Sequence, residues 1–209
     1  MAKANSMTDR AGELEAAAKD IDPASLQAAK AAIVVNCREY LRWAERFSCR
    51  LETIKPEELH KFARALSLTL LGHLPTRPAT CPFCIQYGHD KSCQGCGYAI
   101  THGRCDADDS AFSLFIEAFQ ELGRTIYQDT DGRSIDPCHA KKLLQQSLKT
   151  SKETAQKMQE ELSYVSALQL MELKAIYLGD MIGLLSIRIF SYEVENKYHS
   201  VIKNLKAYW

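Results

Sequence analysis

Apolar residues recur every three or four positions along most of this chain, the repeat of a helix with one buried face. Asp22-Pro23 reads as a helix start, with Asp22 as N-cap and Pro23 at the first helical position. From there to about Thr53 no further proline or glycine intervenes, and Leu26, Ile33, Cys37, Leu41, Ala44 and Ser48 form a stripe. Pro56, with Glu57 and Glu58 in the first turn, opens a second helix. Its face is Leu59, Phe62, Ala63, Leu66, Leu70 and Leu71, and it ends near Gly72. After Cys105, three aspartates (Asp106, Asp108, Asp109) lead into a third helix, whose face is Phe112, Phe115, Ile116, Phe119, Leu122 and Ile126. Residues 129–137 read as a turn. Beyond Pro137 a short heptad seam follows, through Leu144, Leu148, Ser151, Ala155, Met158, Leu162 and Val165. The pattern then slips. Leu178, Ile182, Leu185, Ile189 and Tyr192 resume it in a new register, which places a helix break near Ser163.

These elements predict an all-α bundle of about five or more helices, with no strand outside the cysteine segment and no internal repeat. Residues 1–21 read as a flexible or weakly helical N-terminus. Residues 22–209 read as one helical domain. A small Cys-rich, metal-binding loop at 78–105 is expected as an insert between the second and third helices, entered through the rigid Pro75-Thr76-Arg77-Pro78 connector.

Charge narrows the choice of function. Lys plus Arg equals Asp plus Glu at 26 each, so there is no basic excess to track a phosphate backbone or an anionic membrane. No nucleic-acid or membrane partner is expected. The most apolar run, residues 175–190, is interrupted by Asp180 and Arg188 and is too short to span a bilayer, so it reads as a buried helix. The first 20 residues hold no apolar signal-peptide core. A cytoplasmic setting follows, where clustered cysteines point to metal or catalysis rather than disulfides.

Five of the eight cysteines follow the pattern Cys81-x2-Cys84-x8-Cys93-x2-Cys96-x8-Cys105. A C-x2-C pair lets two thiolates reach one ion from a single turn, and two pairs complete the tetrahedron zinc prefers. Gly95 and Gly97 ease the turning of the backbone, and Pro82 stiffens the first turn. Locally, Cys93-Gln94-Gly95-Cys96-Gly97-Tyr98 resembles the knuckles of zinc ribbons and rubredoxins, a resemblance confined to residues 81–105. It implies a closed structural site holding zinc through Cys81, Cys84, Cys93 and Cys96. An iron–sulfur cluster or a mononuclear iron are the alternatives. Cys105 is a fifth thiol, free or replacing Cys93 or Cys96, and it falls close to the start of the third helix. His89 and His102 are alternate ligands.

The remaining candidates read blandly. Cys37 and Cys49 fit buried small hydrophobes. Asp129-x-Asp131-Gly132 fits a plain turn, because a calcium-loop register would put Tyr127 and Cys138 where carboxylates are needed. Neighbours on a helix, such as Cys138 and His139, do not face each other. Gly179-x3-Gly183 would admit a close helix, and Asp180 fits a solvent-facing or ion-paired carboxylate. Tyr208 and Trp209 dock on the core or on a partner. Three functions stay open: an interaction or assembly protein with a structural metal, whose C-terminal helices bind a partner or self-associate; a redox protein or thiol sensor; and an enzyme using the metal loop as scaffold.

Overall fold

The computed structural model describes residues 7–88, 93 and 95–208, and everything below refers to these. They contain nine α-helices and no strand. These are α1 (Met7–Lys19), α2 (Pro23–Thr53), α3 (Leu59–Gly72), α4 (Pro82–Tyr87), α5 (Gly97–His102), α6 (Ala111–Gln128), α7 (Pro137–Glu161), α8 (Ala167–Gly183) and α9 (Tyr192–Tyr208). None is long and apolar enough to cross a membrane.

Two antiparallel helix pairs make the frame. In the first, Tyr40 of α2 meets Ser151 of α7 while Glu52 meets Lys141, so the chains run in opposite directions. The buried positions of α2 are Ser25, Ala29, Ile33, Cys37, Tyr40, Ala44 and Leu51. The predicted stripe is right in phase, but its centre falls on Tyr40, and Leu41 is only half-buried. The heptad seam of α7 is buried from Leu144 through Met158 and packs within the chain against α2. Inside this apolar contact the Tyr40 hydroxyl donates to Ser151 Oγ at 2.5 Å, and Ser151 donates to the Leu148 carbonyl. A polar pair in a core is tolerable when both members are satisfied. In the second pair, Glu121 of α6 meets Lys197 of α9 at 3.2 Å, and Asn204 of α9 donates to the Leu114 carbonyl. Helix α3 bridges the pairs through the predicted face Leu59, Phe62, Ala63, Leu66, Leu70 and Leu71, all buried.

Caps decide where the helices break. Asp22 caps α2 as its sequence requires, accepting from Ser25 N–H at 2.8 Å. After Pro137 no proline marks a boundary, yet α7, α8 and α9 are separate helices. Ser166 and Gln169 form a capping box that starts α8. The Ser191 hydroxyl accepts from Val194 N–H at the start of α9. Residues 175–190 are therefore not one buried helix: α8 ends at Gly183, and a short 3-10 turn spans Ile187–Ile189. The break near Ser163 is where the sequence puts it, between α7 and α8. The turn after α6 is fixed by His60, whose ring nitrogen lies 2.8 Å from Asp129, and by Arg133 N–H donating to Ile189 O. Gly132 sits there at φ 62, with no room for a Cβ beside His60 and Ile189 O.

The cysteine segment differs from the expected appended loop. It folds into two short helices, α4 and α5, that are walled into the bundle. Phe83 is fully buried and Tyr98 nearly so. Gln86 ties α4 to the α1–α2 junction, accepting from Asp22 N–H and donating to Asp20 O. On the other side α1 lies directly on α5, where a Cβ built at Gly97 would stand 1.9 Å from the Ala17 Cβ. Only a glycine allows that approach.

The Gly97 contact yields a prediction. Gly97→Ala destabilises the fold by about 1–3 kcal/mol through overpacking, and Ala17→Gly in the same chain recovers part of the loss. Denaturant melts of the two single variants and the double variant measure this. Strict additivity would show that the two helices do not touch there.

Candidate metal centre

The site is built from three backbone segments. Cys81 precedes α4 and Cys84 lies in its first turn; Pro82 occupies the first helical position, where its missing N–H costs nothing. Cys96 precedes α5. Cys105 lies in the irregular stretch between α5 and α6. All four line one cavity of about 50 Å³, together with Tyr98, Phe112, Met171, Lys174 and Tyr208. Cys81 and Cys96 are 8% and 4% exposed, while Cys84 and Cys105 are half-buried on the side where Arg77 and Pro78 reach solvent. No cysteine of the chain is in a disulfide.

The thiols are linked to one another. The neighbouring Cys84 thiol, with burial added, pushes Cys81 well above its ordinary value. The neighbouring Cys105 raises Cys84 to about 12. Cys96 is raised mainly by burial, while the amides of Ala99 and Tyr98 oppose the rise by facing its sulfur without a full cap hydrogen bond. Among the described residues, no three His, Cys, Asp or Glu side chains stand in a ready-made metal-ligand arrangement.

Cys93 is placed apart. It is half-buried, adopts a positive φ of 51, and does not line the cavity. Its carbonyl accepts from Cys96 N–H at 3.1 Å, so the two cysteines share one turn. Of the five clustered cysteines, the structure thus groups Cys105 with Cys81, Cys84 and Cys96. The expectation that Cys105 sits at the mouth of the next helix is corrected. Helix α6 begins at Ala111 and is capped by Ser110, whose hydroxyl accepts from Ser113 N–H. The aspartates lie before it, and Asp106 pairs with Arg104 instead. His102 is stacked on the Tyr98 ring at 4.4 Å and hydrogen-bonded to Thr101, outside the cavity lining. His89 lies outside the described residues.

One side chain at this site, Lys174, is not among the residues singled out from the sequence, and the sequence reads Tyr208 only as docking on the core or on a partner. Lys174 is 3% exposed in the cavity wall, and burial pushes its amine below the ordinary value, against the opposing pull of Cys81, Cys84 and Cys105. The available signal was its place on the α8 stripe, Leu170, Met171, Lys174, Tyr177, Leu178 and Met181, where every other member is apolar or aromatic. Tyr208 brings the C-terminal helix to the site. Its carbonyl accepts from the Tyr98 hydroxyl at 3.1 Å, and its ring stacks on Phe115. The tail therefore docks on the core at Tyr208.

The other candidates lie elsewhere. Cys37 is fully buried in the α2 stripe and donates to the Tyr177 hydroxyl at 3.7 Å; burial lifts it to about 11. Cys49 is exposed, not buried as its spacing suggested, because it falls off the α2 stripe. Cys138 and His139 are both exposed at the start of α7, where His139 N–H bonds Asp136. Asp129 holds the His60 turn, and Asp180 faces solvent. Gly179 is not in a tight contact: a Cβ added there would meet Leu205 at an ordinary 3.8 Å. A larger cleft of about 430 Å³ lies beside α7 and α9. Two of its polar groups are already engaged: Ser147 donates to the Leu184 carbonyl, and Glu195 pairs with Arg133.

In comparisons with protein families, curated proteins and solved structures, the chain matches no family model, no curated protein and no solved structure.

Proposed function

We propose that this chain is a structural-metal protein in which Cys81, Cys84, Cys96 and Cys105 hold a single zinc ion, and that the assembled helical surface serves protein interaction or assembly. One observation carries the reading: four thiols from three separate backbone segments line one small cavity, all of them reduced. Four thiolates satisfy the tetrahedral preference of zinc and leave no open position for substrate. A cavity of about 50 Å³ suits one ion better than a cluster of several iron and sulfide atoms. Binding would replace the thiol protons and draw the sulfurs together, so metal-binding free energy becomes folding free energy. Helix α1 packs on α5 at Gly97, next to Cys96, and the end of α9 reaches the cavity wall through Tyr208. The ion would therefore fasten both to the bundle.

The redox reading keeps one specific support, the Cys93–Cys96 turn beside the cavity. Metal analysis of anaerobically purified protein separates the two. One zinc per colourless chain supports the structural site, and a brown protein with broad visible absorbance moves the assignment to an iron–sulfur cluster.

The ligand set has its own test. Cys105→Ser lowers bound metal to near zero, whereas Cys93→Ser retains about one equivalent. The reverse pair of results would restore Cys93 to the set and remove Cys105.

Removing the metal with a chelator speeds hydrogen exchange several-fold in residues 82–87, 97–102 and the last turn of α9. The α2–α7 seam stays protected. A uniform rise across all helices would contradict a local fastening role.

A further inference from the structure

Helix α8 places Lys174 in the wall of the cysteine cavity, 3% exposed and within electrostatic reach of Cys81, Cys84 and Cys105. Its other neighbours in that wall are Met171, Phe112, Tyr98 and Tyr208, apolar or aromatic, while Thr76 and the exposed Arg77 line the outer side of the cavity. A cation is costly in such a place unless an anion faces it. Among the described residues no carboxylate lines the cavity, and Asp180, the carboxylate that follows on α8, is exposed. Neutral thiols do not compensate an ammonium group. A metal–thiolate centre does. A divalent ion held by four thiolates has a formal charge of −2, and one ammonium beside it halves that excess within the apolar wall.

We infer that Lys174 is the built-in counter-cation of the site, which favours an anionic metal–thiolate centre over the metal-free pocket and donates its ammonium hydrogens to the sulfurs. The inference rests on the metal reading above. It adds a role that cysteine spacing cannot assign: the site is tuned for a ligand set of net negative charge, and its affinity depends on a residue that is not a ligand. Groups that support metal ligands without touching the metal are typically worth about 10–100-fold in affinity. The same side chain should weaken the metal-free fold, because there it is a buried amine with no carboxylate in the cavity lining.

Lys174→Met, Lys174→Gln and Lys174→Arg in the full chain test this. Zinc affinity is measured by chelator competition, and Co²⁺ replaces zinc as the spectroscopic probe. Lys174→Met should bind zinc about 10–100-fold more weakly. Its sulfur-to-cobalt charge-transfer band should move to longer wavelength, since removing a nearby cation raises the energy of the sulfur electrons. Lys174→Arg should stay within a few-fold of the parent chain. The metal-free Lys174→Met chain should melt at or above the parent. Should Lys174→Met fail to fold, Lys174→Gln carries the test, keeping a polar donor without the charge, and it too should lose affinity. Parent-like affinity and band position in the neutral variants would overturn the counter-cation while leaving the metal site intact. A lower melting temperature of the metal-free variant with an unshifted band would make Lys174 a packing residue and overturn it too. Failure of the parent chain to bind zinc or Co²⁺ would overturn the metal reading and this inference together.

Discussion

The contact between α2 and α7 is the one on which the other elements depend. Helix α2 is the longest in the described structure, and its buried stripe, Ala29, Ile33, Cys37, Tyr40 and Ala44, lies against Leu144, Leu148, Ser151 and Ala155. Small residues at Ala44 and Ala155 let the backbones approach, and the Tyr40–Ser151 hydrogen bond fixes one register in an otherwise non-directional apolar contact. Burial of apolar surface drives such packing, and a satisfied polar pair adds uniqueness more than strength. The start of α2 then places α4 through Gln86. The end of α7 passes through a single turn into α8, which carries Lys174. The α4 and α8 walls of the cysteine cavity hang from this pair, while Phe112 and Tyr208 come from α6 and α9.

That arrangement explains how the cavity is held together although it is built from short pieces. Helices α4 and α5 have six residues each, too few to hold their shape in isolation. They are held instead by Phe83, fully buried, by the Gly97–Ala17 approach and by the Tyr98–Tyr208 contact. A metal at this point would add a further tie among segments that the bundle already brings together. The proposed ion would thus finish the fold rather than begin it.

Much of the frame was legible in the sequence. The faces of α3 and α7, the Asp22-Pro23 start and the break near Ser163 all follow from local rules, because helix periodicity and capping act over four or five residues. The boundaries between α8 and α9 were harder. Leu178, Ile182 and Leu185 continue a helical spacing past Gly183, and nothing as emphatic as a proline stops it. The stop comes from Ser191 capping the next helix and from Arg133 bonding Ile189 O, a partner more than fifty residues away. Cys49 shows the same limit on a smaller scale: at one position off the stripe, the sequence spacing alone did not separate a buried thiol from an exposed one.

The sequence by itself determined that the chain is helical, that five of its thiols cluster within 25 residues and that its charge is balanced. Composition and short-range periodicity carry that information. Only the tertiary structure decided which thiols meet. Spacing favours Cys93 beside Cys96, because C-x2-C pairs look alike along a chain. Packing instead turns Cys105 toward Cys84 and leaves Cys93 outside the cavity. It also decided that Lys174, from a helix far along the chain, faces them. An ammonium group in an apolar stripe is a local anomaly in the sequence, and its meaning depends on what lies opposite it in space.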